Sequence, residues 1–235
     1  MKYKSRAITL TYIKQGESSI ISKIFTEKHG LQSFIIKGVR SKRAKKKLGL
    51  FQPLQLVDIN ATLIPKKGLQ YLAEITIIET ISTDKINMNK NFLAIFIAEI
   101  SSKVLQENEQ NSGLFKFVWE IKQKLYNANT VDENFALLFM LNLSKYLGFF
   151  PSTENINAPF FNLETGEFSG KAFNLNIYLT EEKTKILKHL LLGKKINIPQ
   201  ELKSELLKDI IQYFRLHHYN LSNITSHLII ESLRK

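Results

Sequence analysis

The feature that most constrains the fold is a change in the period of the apolar residues near residue 80. Before it, apolar and polar side chains alternate, as in the run from Ile8 to Tyr12, which is typical of half-buried β-strands. Beyond about residue 85 the apolar residues recur every three or four positions, as on amphipathic helices. The sequence therefore predicts an α+β protein with a β-domain at residues 1–82 and a helical domain at residues 83–235.

Five strand-like segments fit within the first domain. They lie near residues 8–13, 19–27, 31–37, 54–64 and 69–80. Turn residues separate them at His29-Gly30 and at Pro65-Lys66-Lys67-Gly68. Five strands of this length without a helix between them predict a small closed barrel, for which the oligonucleotide-binding (OB) fold is the commonest architecture. An SH3-like barrel is the alternative.

The second domain is predicted to be helical with one loop-rich insert. Predicted helices lie near residues 88–107, 112–127, 130–147, 180–192, 199–218 and 222–233. Thr130 to Glu133 has the form of a capping box, which predicts that the third of these helices, apolar nearly all round, begins there. Residues 151–178 are rich in Asn, Gly and Phe and predict loops with short strands.

The net charge is concentrated at the amino-terminal end. The chain carries a formal net charge of +12, from 33 Lys and Arg residues against 21 Asp and Glu residues. Residues 1–50 hold 13 of the basic residues and two of the acidic ones, which gives this segment a net charge of +11. Such an excess suits an anionic partner, either nucleic acid or an acidic membrane surface.

The densest basic segment is residues 37–47, Lys-Gly-Val-Arg-Ser-Lys-Arg-Ala-Lys-Lys-Lys, in which seven of eleven residues are basic. It follows a predicted strand, so we expect a loop between barrel strands. Its cationic groups can neutralise phosphates, and its Gly lets the backbone approach one. A solvated loop without a partner would have the same composition, but the charge asymmetry and the barrel lead us to favour nucleic-acid binding.

The candidate nucleic-acid-binding residues extend beyond this segment. Lys66 and Lys67 lie in the second predicted turn, and Tyr71 after it is the aromatic residue that we expect to be exposed, where it can stack on an unpaired base. The complete set of candidates is Arg6, Lys37, Gly38, Arg40, Lys42, Arg43, Lys45, Lys46, Lys47, Lys66, Lys67 and Tyr71.

No catalytic or cofactor motif is present in the sequence. Walker-type phosphate loops and the GxGxxG, HExxH and GxSxG patterns are absent. His217 and His218 are adjacent on a predicted helix, so their side chains point about 100° apart and do not readily chelate one metal ion. The chain has no Cys, which excludes disulfides, thiolate metal sites and Cys nucleophiles. We expect no enzyme activity, no metal and no cofactor.

The sequence also predicts a soluble protein. The segment from Met1 to Leu10 is charged and lacks the apolar core of a signal peptide. No stretch approaches the roughly 18 apolar residues of a membrane span. We therefore expect a cytoplasmic protein without a membrane partner.

Four short segments of the sequence resemble the amino-terminal half of RecO, a family of bacterial recombination mediators. They are Gly16-Glu17-Ser18-Ser19, Phe25-Thr26-Glu27-Lys28-His29-Gly30, Lys37-Gly38-Val39-Arg40 and Leu50-Phe51-Gln52-Pro53-Leu54. The resemblance rests on the order and the spacing of these four segments. It extends more loosely to the helical part, at Leu147-Gly148-Phe149 and from Ser226 to Leu233.

The resemblance implies an OB-fold domain and a helical domain in a nucleoid-associated DNA-repair protein. Members bind single- and double-stranded DNA and anneal complementary strands. They work with RecR to replace single-stranded-DNA-binding protein (SSB) with RecA, and they dock the acidic carboxyl-terminal tail of SSB. Carried over by position, the DNA-contacting residues would be Lys37, Arg40, Lys42 and Arg43, with Gly38 in the turn and Gln52-Pro53 at the entry to the next strand.

The chain departs from the family pattern at two places. Many members carry a four-cysteine zinc site in the segment corresponding to residues 151–173, where this chain has no Cys, so zinc is not expected. The family often has Lys-Ser near the last helix, where this chain has Thr225-Ser226. The SSB tail would dock on the helical domain, in an apolar groove beside a basic residue, with Lys145 and Arg215 as candidates.

Two other functions remain compatible with the sequence. One is an RNA-binding protein with a similar barrel and no repair role. The other is a nucleic-acid-modifying enzyme with an unrecognised active site, although the sparse aspartates do not form the cluster that a two-metal nuclease needs.

Overall fold

The computed structural model describes residues 1–41, 45–65, 67–79, 87–174 and 176–228, and for Lys45 and Lys46 it describes the backbone alone. Residues 1–129 and 130–235 form two compact units. The predicted division at residues 82 and 83 lies in a segment outside the described residues and stays a prediction. No helix within the described ranges combines the length and the apolar character needed to cross a membrane.

The first unit contains a closed barrel of five strands. They are β1 (Lys2–Gln15), β2 (Ser19–Thr26), β3 (Gly30–Ile36), β4 (Leu56–Thr62) and β5 (Gln70–Ile77). Their order around the barrel is β1-β2-β3-β5-β4. Every pair is antiparallel except β3 and β5, which are parallel. The predicted five-stranded OB-type barrel and the α+β class are confirmed.

The long strand β1 closes the barrel by pairing on both of its edges. Its first half, Lys2–Ile8, pairs with β4, and its second half, Ala7–Gln15, pairs with β2. The register shifts between Thr9 and Thr11, as at a β-bulge, which bends a strand and increases its twist. Alternate apolar side chains from all five strands fill the interior, together with Val39 and Phe51 from the connection between β3 and β4.

A second apolar layer lies outside the barrel, beneath two helices. All four residues from Ala7 to Leu10 are buried, although side chains of a strand alternate between faces. Ala7 belongs to the interior cluster, so Ile8 points to the outer face. Helix α2 (Met88–Val104) contacts β1, and helix α3 (Ser112–Asn127) contributes Phe115, whose ring meets that of Phe25 at 5.3 Å. The barrel and these helices therefore share a core.

The connection between α2 and α3 is held against the first half of β3. Ser33 Oγ donates to Glu107 Oε1 at 2.8 Å, and Gln32 Nε2 donates to Asn108 Oδ1 at 3.1 Å. Asn108 adopts a left-handed backbone conformation and donates its N–H to the carbonyl of Leu31. These bonds hold β3 beside the helices.

In the described part of the second unit, three long helices accompany a small sheet. Its elements are α4 (Phe135–Tyr146), β6 (Phe160–Asn162), β7 (Glu167–Ser169), β8 (Tyr178–Leu179), α5 (Glu181–Leu191) and α6 (Gln200–Leu216). The strands form one antiparallel sheet in the order β7-β6-β8, which gives the predicted loop-rich insert its short strands. Of the predicted last helix, residues 226–228 are helical, and the positions from 229 onwards lie outside the described residues.

Of two helix starts predicted from capping residues, one is confirmed and the other is wrong. Thr180 caps α5 as expected, because its Oγ1 accepts from the N–H of Lys183 at 3.4 Å. The predicted capping box at Thr130 to Glu133 is wrong, because α4 begins only at Phe135. Asp132 Oδ1 instead accepts from the N–H of Asn134 at 2.7 Å, a local side-chain turn that competes with an earlier helix start.

Candidate nucleic-acid interface

A groove opens on the barrel where β3 and β5 separate. The two strands pair only at Phe34 with Gln70 and at Ile35 with Tyr71, and β5 then continues past the end of β3. The resulting cavity has a volume of about 500 Å³. It is lined by Ile35, Ile36, Lys37, Val39, Lys47, Leu50, Phe51, Tyr71, Leu72, Ala73, Glu74 and Ile75.

The groove has an apolar floor and a basic rim. Phe51 and Val39, both almost fully buried, belong to the barrel interior and form its deepest part. Lys37 and Lys47 are exposed at its edge. Of the described lining residues only Glu74 is acidic. Apolar surface flanked by cations suits a ligand that has flat apolar parts and negative charges.

Tyr71 presents its ring at the groove. Its relative exposure is 44%, as expected from the sequence. Lys67 Nζ donates to Tyr71 Oη at 3.4 Å and lies 4.9 Å from the centre of the tyrosine ring, within the range of a cation–π contact. The turn before β5 therefore places a third lysine beside the ring.

The segment after β3 begins with a turn that is anchored to the neighbouring hairpin. Gly38 lies at the turn that follows β3 and has a φ of 71°, a left-handed conformation that favours glycine. The N–H of Arg40 donates to the carbonyl of Ser18, and Arg40 Nη1 donates to the carbonyl of Gly16, each at 2.9 Å. Arg40 thereby ties the segment to the turn between β1 and β2 and uses part of its guanidinium to do so.

The predicted basic loop is partly helical. Residues 45–48 form a short helix α1 (Lys45–Leu48), which continues into a 3-10 helix at Gly49–Phe51. This helical turn buries Phe51 in the barrel and leaves Lys47 at the rim of the groove. The candidates Lys42, Arg43 and Lys66 lie outside the described residues, as do the side chains of Lys45 and Lys46.

Arg6 does not line the groove. Its Nε donates to Glu27 Oε2 at 2.9 Å, a second bond joins Nη2 to Oε1, and its guanidinium lies 5.1 Å from the centre of the Trp119 ring. The hydrogen bonds from Arg6 lower the pKa of Glu27, which stays ionised. Arg6 is thus already engaged by a carboxylate and a ring, an arrangement that its position in the sequence does not reveal.

Lys145 and Arg215 lie in the second unit, each exposed in the last turn of its helix. The carboxyl-terminal ends of α4 and α6 meet at Phe149. The carbonyl of Phe149 accepts a hydrogen bond from Tyr213 Oη, and its ring stacks on that of His217 at 4.7 Å. Tyr146 and Phe150 add exposed aromatic surface next to this junction in the chain.

The sequence identified the lysines at the rim of the groove but not the side of the groove that β5 contributes. Leu72 and Glu74 were missed, because they belong to a strand whose pairing on one side ends after two residues. Their neighbour Tyr71 was the available signal. Among the described residues no group of three or more His, Cys, Asp or Glu side chains is arranged to hold a metal ion.

Comparison with known proteins assigns both parts of the chain. Residues 1–81 match the family model described as Recombination protein O N terminal, and residues 87–223 match Recombination protein O C terminal. The DNA repair protein RecO of Flavobacterium psychrophilum is 33% identical over 223 residues, which cover 92% of each chain. That of Flavobacterium johnsoniae is 32% identical over 192 residues, which cover 81% of this chain and 80% of the relative. The chain belongs to the RecO family of DNA repair proteins.

Proposed function

We propose that this protein is a non-catalytic recombination mediator that binds single- and double-stranded DNA and anneals complementary strands. With RecR it helps to load RecA onto DNA coated with SSB, in the cytoplasm and in association with the nucleoid. Family membership supports the repair role. The groove between β3 and β5, with lysines at its rim and a tyrosine ring at its edge, is the observation that carries DNA binding.

Electrostatics supply the affinity in this proposal. Lys37 and Lys47 line the groove, Lys67 stands beside it, and all three lie on the unit that contains the +11 segment. Lysines that neutralise phosphates release condensed counterions, which favours binding without a choice of sequence. A surface that neutralises two phosphate backbones lowers the repulsion between complementary strands, so annealing requires base pairing but no covalent bond to be made or broken in the protein or the DNA.

Annealing of SSB-coated DNA tests the mediator function directly. Complementary strands are coated with the cognate SSB or with SSB lacking its acidic tail, and duplex formation is followed with and without this protein. We expect acceleration with complete SSB and a weaker effect without the tail. Absence of annealing at low salt contradicts the proposal, and an equal or greater effect on RNA strands favours an RNA-binding role.

A triple substitution tests the basic rim. Lys37→Ala, Lys47→Ala and Lys67→Ala together should weaken binding to every DNA sequence and reduce the slope of log affinity against log salt by about three, one for each lost phosphate contact. Titrations at several salt concentrations measure the slope. Lys171→Ala, Lys194→Ala and Lys195→Ala remove the same charge from exposed positions of the second unit and are the control. Equal effects of the two variants would mean that net charge matters and the groove does not.

We propose that the SSB tail docks on the second unit near the junction of α4 and α6. Lys145 and Arg215 supply positive charge there, and the exposed aromatic rings of Tyr146 and Phe150 supply apolar surface. An acidic peptide with apolar side chains is complementary to such a surface.

A labelled peptide with the sequence of the SSB tail tests this docking. Lys145→Glu combined with Arg215→Glu should weaken peptide binding by about tenfold or more, since hydrogen bonds to charged groups contribute about 1.5–3 kcal/mol. The pair Lys194→Glu and Lys195→Glu changes the charge equally at another exposed site. If both double variants bind the peptide equally well, the docking site lies elsewhere.

A further inference from the structure

We propose that the second unit contains a binding site for a free adenine nucleotide, in a cavity between the segment that precedes α4 and the segment that follows α5. The inference goes beyond the proposed function and does not depend on it, because every described lining residue belongs to the second unit. The groove of the barrel contributes no described residue to this cavity.

The cavity has the size and the lining of a small-molecule site. Its volume is about 550 Å³, within the range of roughly 300–1,000 Å³ that is typical of such sites. Leu138 on α4 and Leu190 on α5 contribute apolar surface. Val131 and Ile196 add to it from the two segments. A flat ring system can replace water against these aliphatic side chains.

One lining residue carries a buried acceptor that lacks a donor. Asn134 lines the cavity and is 6% exposed, and no described residue donates a hydrogen bond to its Oδ1. Buried polar atoms are rarely left unpaired in native proteins, because the lost hydrogen bond destabilises the fold. The unpaired oxygen therefore points to a ligand that brings a hydrogen-bond donor into the cavity.

Two hydrogen bonds fix the orientation of Asn134. Its Nδ2 donates to the carbonyl of Ile196 at 2.9 Å, and its backbone N–H donates to Asp132 Oδ1 at 2.7 Å. Rotating the amide by 180° would place Oδ1 against the carbonyl of Ile196, where two acceptors repel each other. Since Nδ2 carries two hydrogens, one of them remains for a ligand. The amide thus offers an acceptor and a donor side by side.

Adenine is the base that matches this pair of groups. Its N6 amino group can donate to Oδ1 while its N7 accepts from Nδ2, the pairing by which Asn side chains read adenine. Guanine carries an oxygen in place of the amino group, so it would set two acceptors against each other. A bidentate contact of this kind discriminates between bases by a factor of about 5 to 150.

The charges around the cavity orient the phosphates. Lys194 and Lys195, both exposed, lie on the segment after α5, and their ammonium groups attract phosphates that remain in water at the mouth of the cavity. Asp132, exposed on the segment before α4, repels phosphates from that side. A nucleotide therefore enters with its base inwards and its phosphates towards the two lysines.

Calorimetric titration of the full chain with ATP and with GTP tests the inference. ATP should bind, and GTP should bind about tenfold more weakly. An excess of an oligothymidylate strand, which competes for the basic face of the barrel and contains no adenine, should leave the affinity for ATP unchanged. Loss of ATP binding with this strand would place ATP on the barrel and overturn the inference. If an oligodeoxyadenylate strand alone displaced ATP, the ligand would be adenine in DNA, and a free nucleotide would be the wrong assignment.

Thr130→Phe should fill the cavity from an exposed position without removing a buried side chain. It should weaken ATP binding by about tenfold or more, because the base loses its apolar contacts. Thr153→Phe is the matched control, since Thr153 is exposed in a loop of the same unit and does not line the cavity.

Asn134→Leu should abolish the preference for ATP over GTP, and circular dichroism melting checks that this variant folds. If it does not fold, the native protein and Thr130→Phe still decide the outcome. Equal affinities of the native protein for ATP and GTP would overturn the inference, as would an unchanged affinity for ATP in Thr130→Phe. Absence of ATP binding would overturn it too and would leave the proposed DNA binding unaffected.

Discussion

Two features require glycine at position 30, a positive φ and the close approach of the backbone of Glu109. The φ of Gly30 is 66°, and a Cβ at this position would stand 2.0 Å from the carbonyl oxygen of Glu109. Gly38 has a similar φ of 71°, but a Cβ there would meet nothing within 4 Å. The two residues therefore separate the cost of the backbone conformation from the cost of the clash.

Gly30→Ala should destabilise the first unit much more than Gly38→Ala. The left-handed conformation costs about 1–2 kcal/mol for a residue with a Cβ, and that is the whole expected loss at Gly38. At Gly30 the connection between α2 and α3 must also move away, which breaks its hydrogen bonds to β3. Urea unfolding gives both free energies of unfolding. Equal losses of unfolding free energy in the two variants would show that the connection between α2 and α3 can move away from Gly30 without destabilising the protein.

Acidification should destabilise the first unit in two steps, and His29 should account for the upper one. Burial, together with the charge of Lys28, lowers the pKa of His29 from its ordinary value of 6.5. The folded state therefore binds a proton less readily than the unfolded state, so stability is complete above about pH 6.5 and decreases as the pH falls towards the lowered pKa. Glu27, whose pKa Arg6 lowers from 4.5, adds a loss that begins near pH 4.5.

Urea midpoints between pH 8 and pH 3 measure both steps. The fluorescence of Trp119, the one tryptophan of the chain, reports unfolding near Arg6. His29→Gln should remove the upper step and retain the lower one, and Arg6→Gln should do the reverse. An unchanged upper step in His29→Gln would assign it to another group.

The sequence identifies basic residues but not their partners. Lys37, Lys47 and Lys67 were candidates and do gather around one groove. Arg6 was a candidate on the same grounds, yet it pairs with Glu27. The two are 21 positions apart and meet only because β1 and β2 pair with Ala7 opposite Thr26. Strand register, which decides this contact, depends on packing that a single sequence does not display.

Periodicity predicted most elements but not what covers them. The strands and the helices α2 and α3 lie close to their predicted positions. Alternation on β1 indicated one buried face, whereas residues 7–10 are buried on both. Local pattern cannot show that a helix from later in the chain will cover the outer face. The error at the start of α4 has a local cause, the turn at Asp132, and a distant one, since Asn134 donates its side-chain amide to the carbonyl of Ile196, 62 residues away.

Glu79→Gln should be more harmful than Lys122→Met, although both break the same ion pair. Lys122 Nζ on α3 lies 2.7 Å from Glu79 Oε2 after β5, and the side chains are 1% and 39% exposed. Removing the carboxylate leaves a buried ammonium without its counter-charge, which costs about 3–5 kcal/mol for a fully buried pair. Removing the lysine leaves a carboxylate that water can reach and places an apolar side chain in a buried position.

Thermal unfolding of the two variants compares the losses. We expect a clear decrease in Tm for Glu79→Gln and a change within a few degrees for Lys122→Met. The Tm of the double variant should resemble that of Lys122→Met, because neither variant contains the buried ammonium group of Lys122. A larger decrease in Tm for Lys122→Met would mean that the ion pair stabilises the contact between β5 and α3. Its contribution would then exceed the cost of burying the lysine.

Two positions in the chain are candidates for the end of the first folding unit. The sequence places a domain end at residue 82, and the amino-terminal family match ends at residue 81. The compact unit extends to residue 129 and includes α2 and α3. The difference is physical, because Ile8, Leu10 and Phe25 are buried outside the interior cluster of the barrel.

A fragment of residues 1–129 should fold, whereas a fragment of residues 1–82 should not form a stable monomer. Exposing three large apolar side chains costs about 1.5–3 kcal/mol each, and the sum is comparable to the roughly 5–15 kcal/mol that stabilises a typical domain. Circular dichroism melting and sedimentation measure folding and association. In the short fragment, replacing Ile8, Leu10 and Phe25 by Thr should reduce aggregation without restoring stability. A cooperative melt of the unmodified short fragment at the temperature of the longer one would instead place the boundary at residue 82, with α2 and α3 as a separable layer.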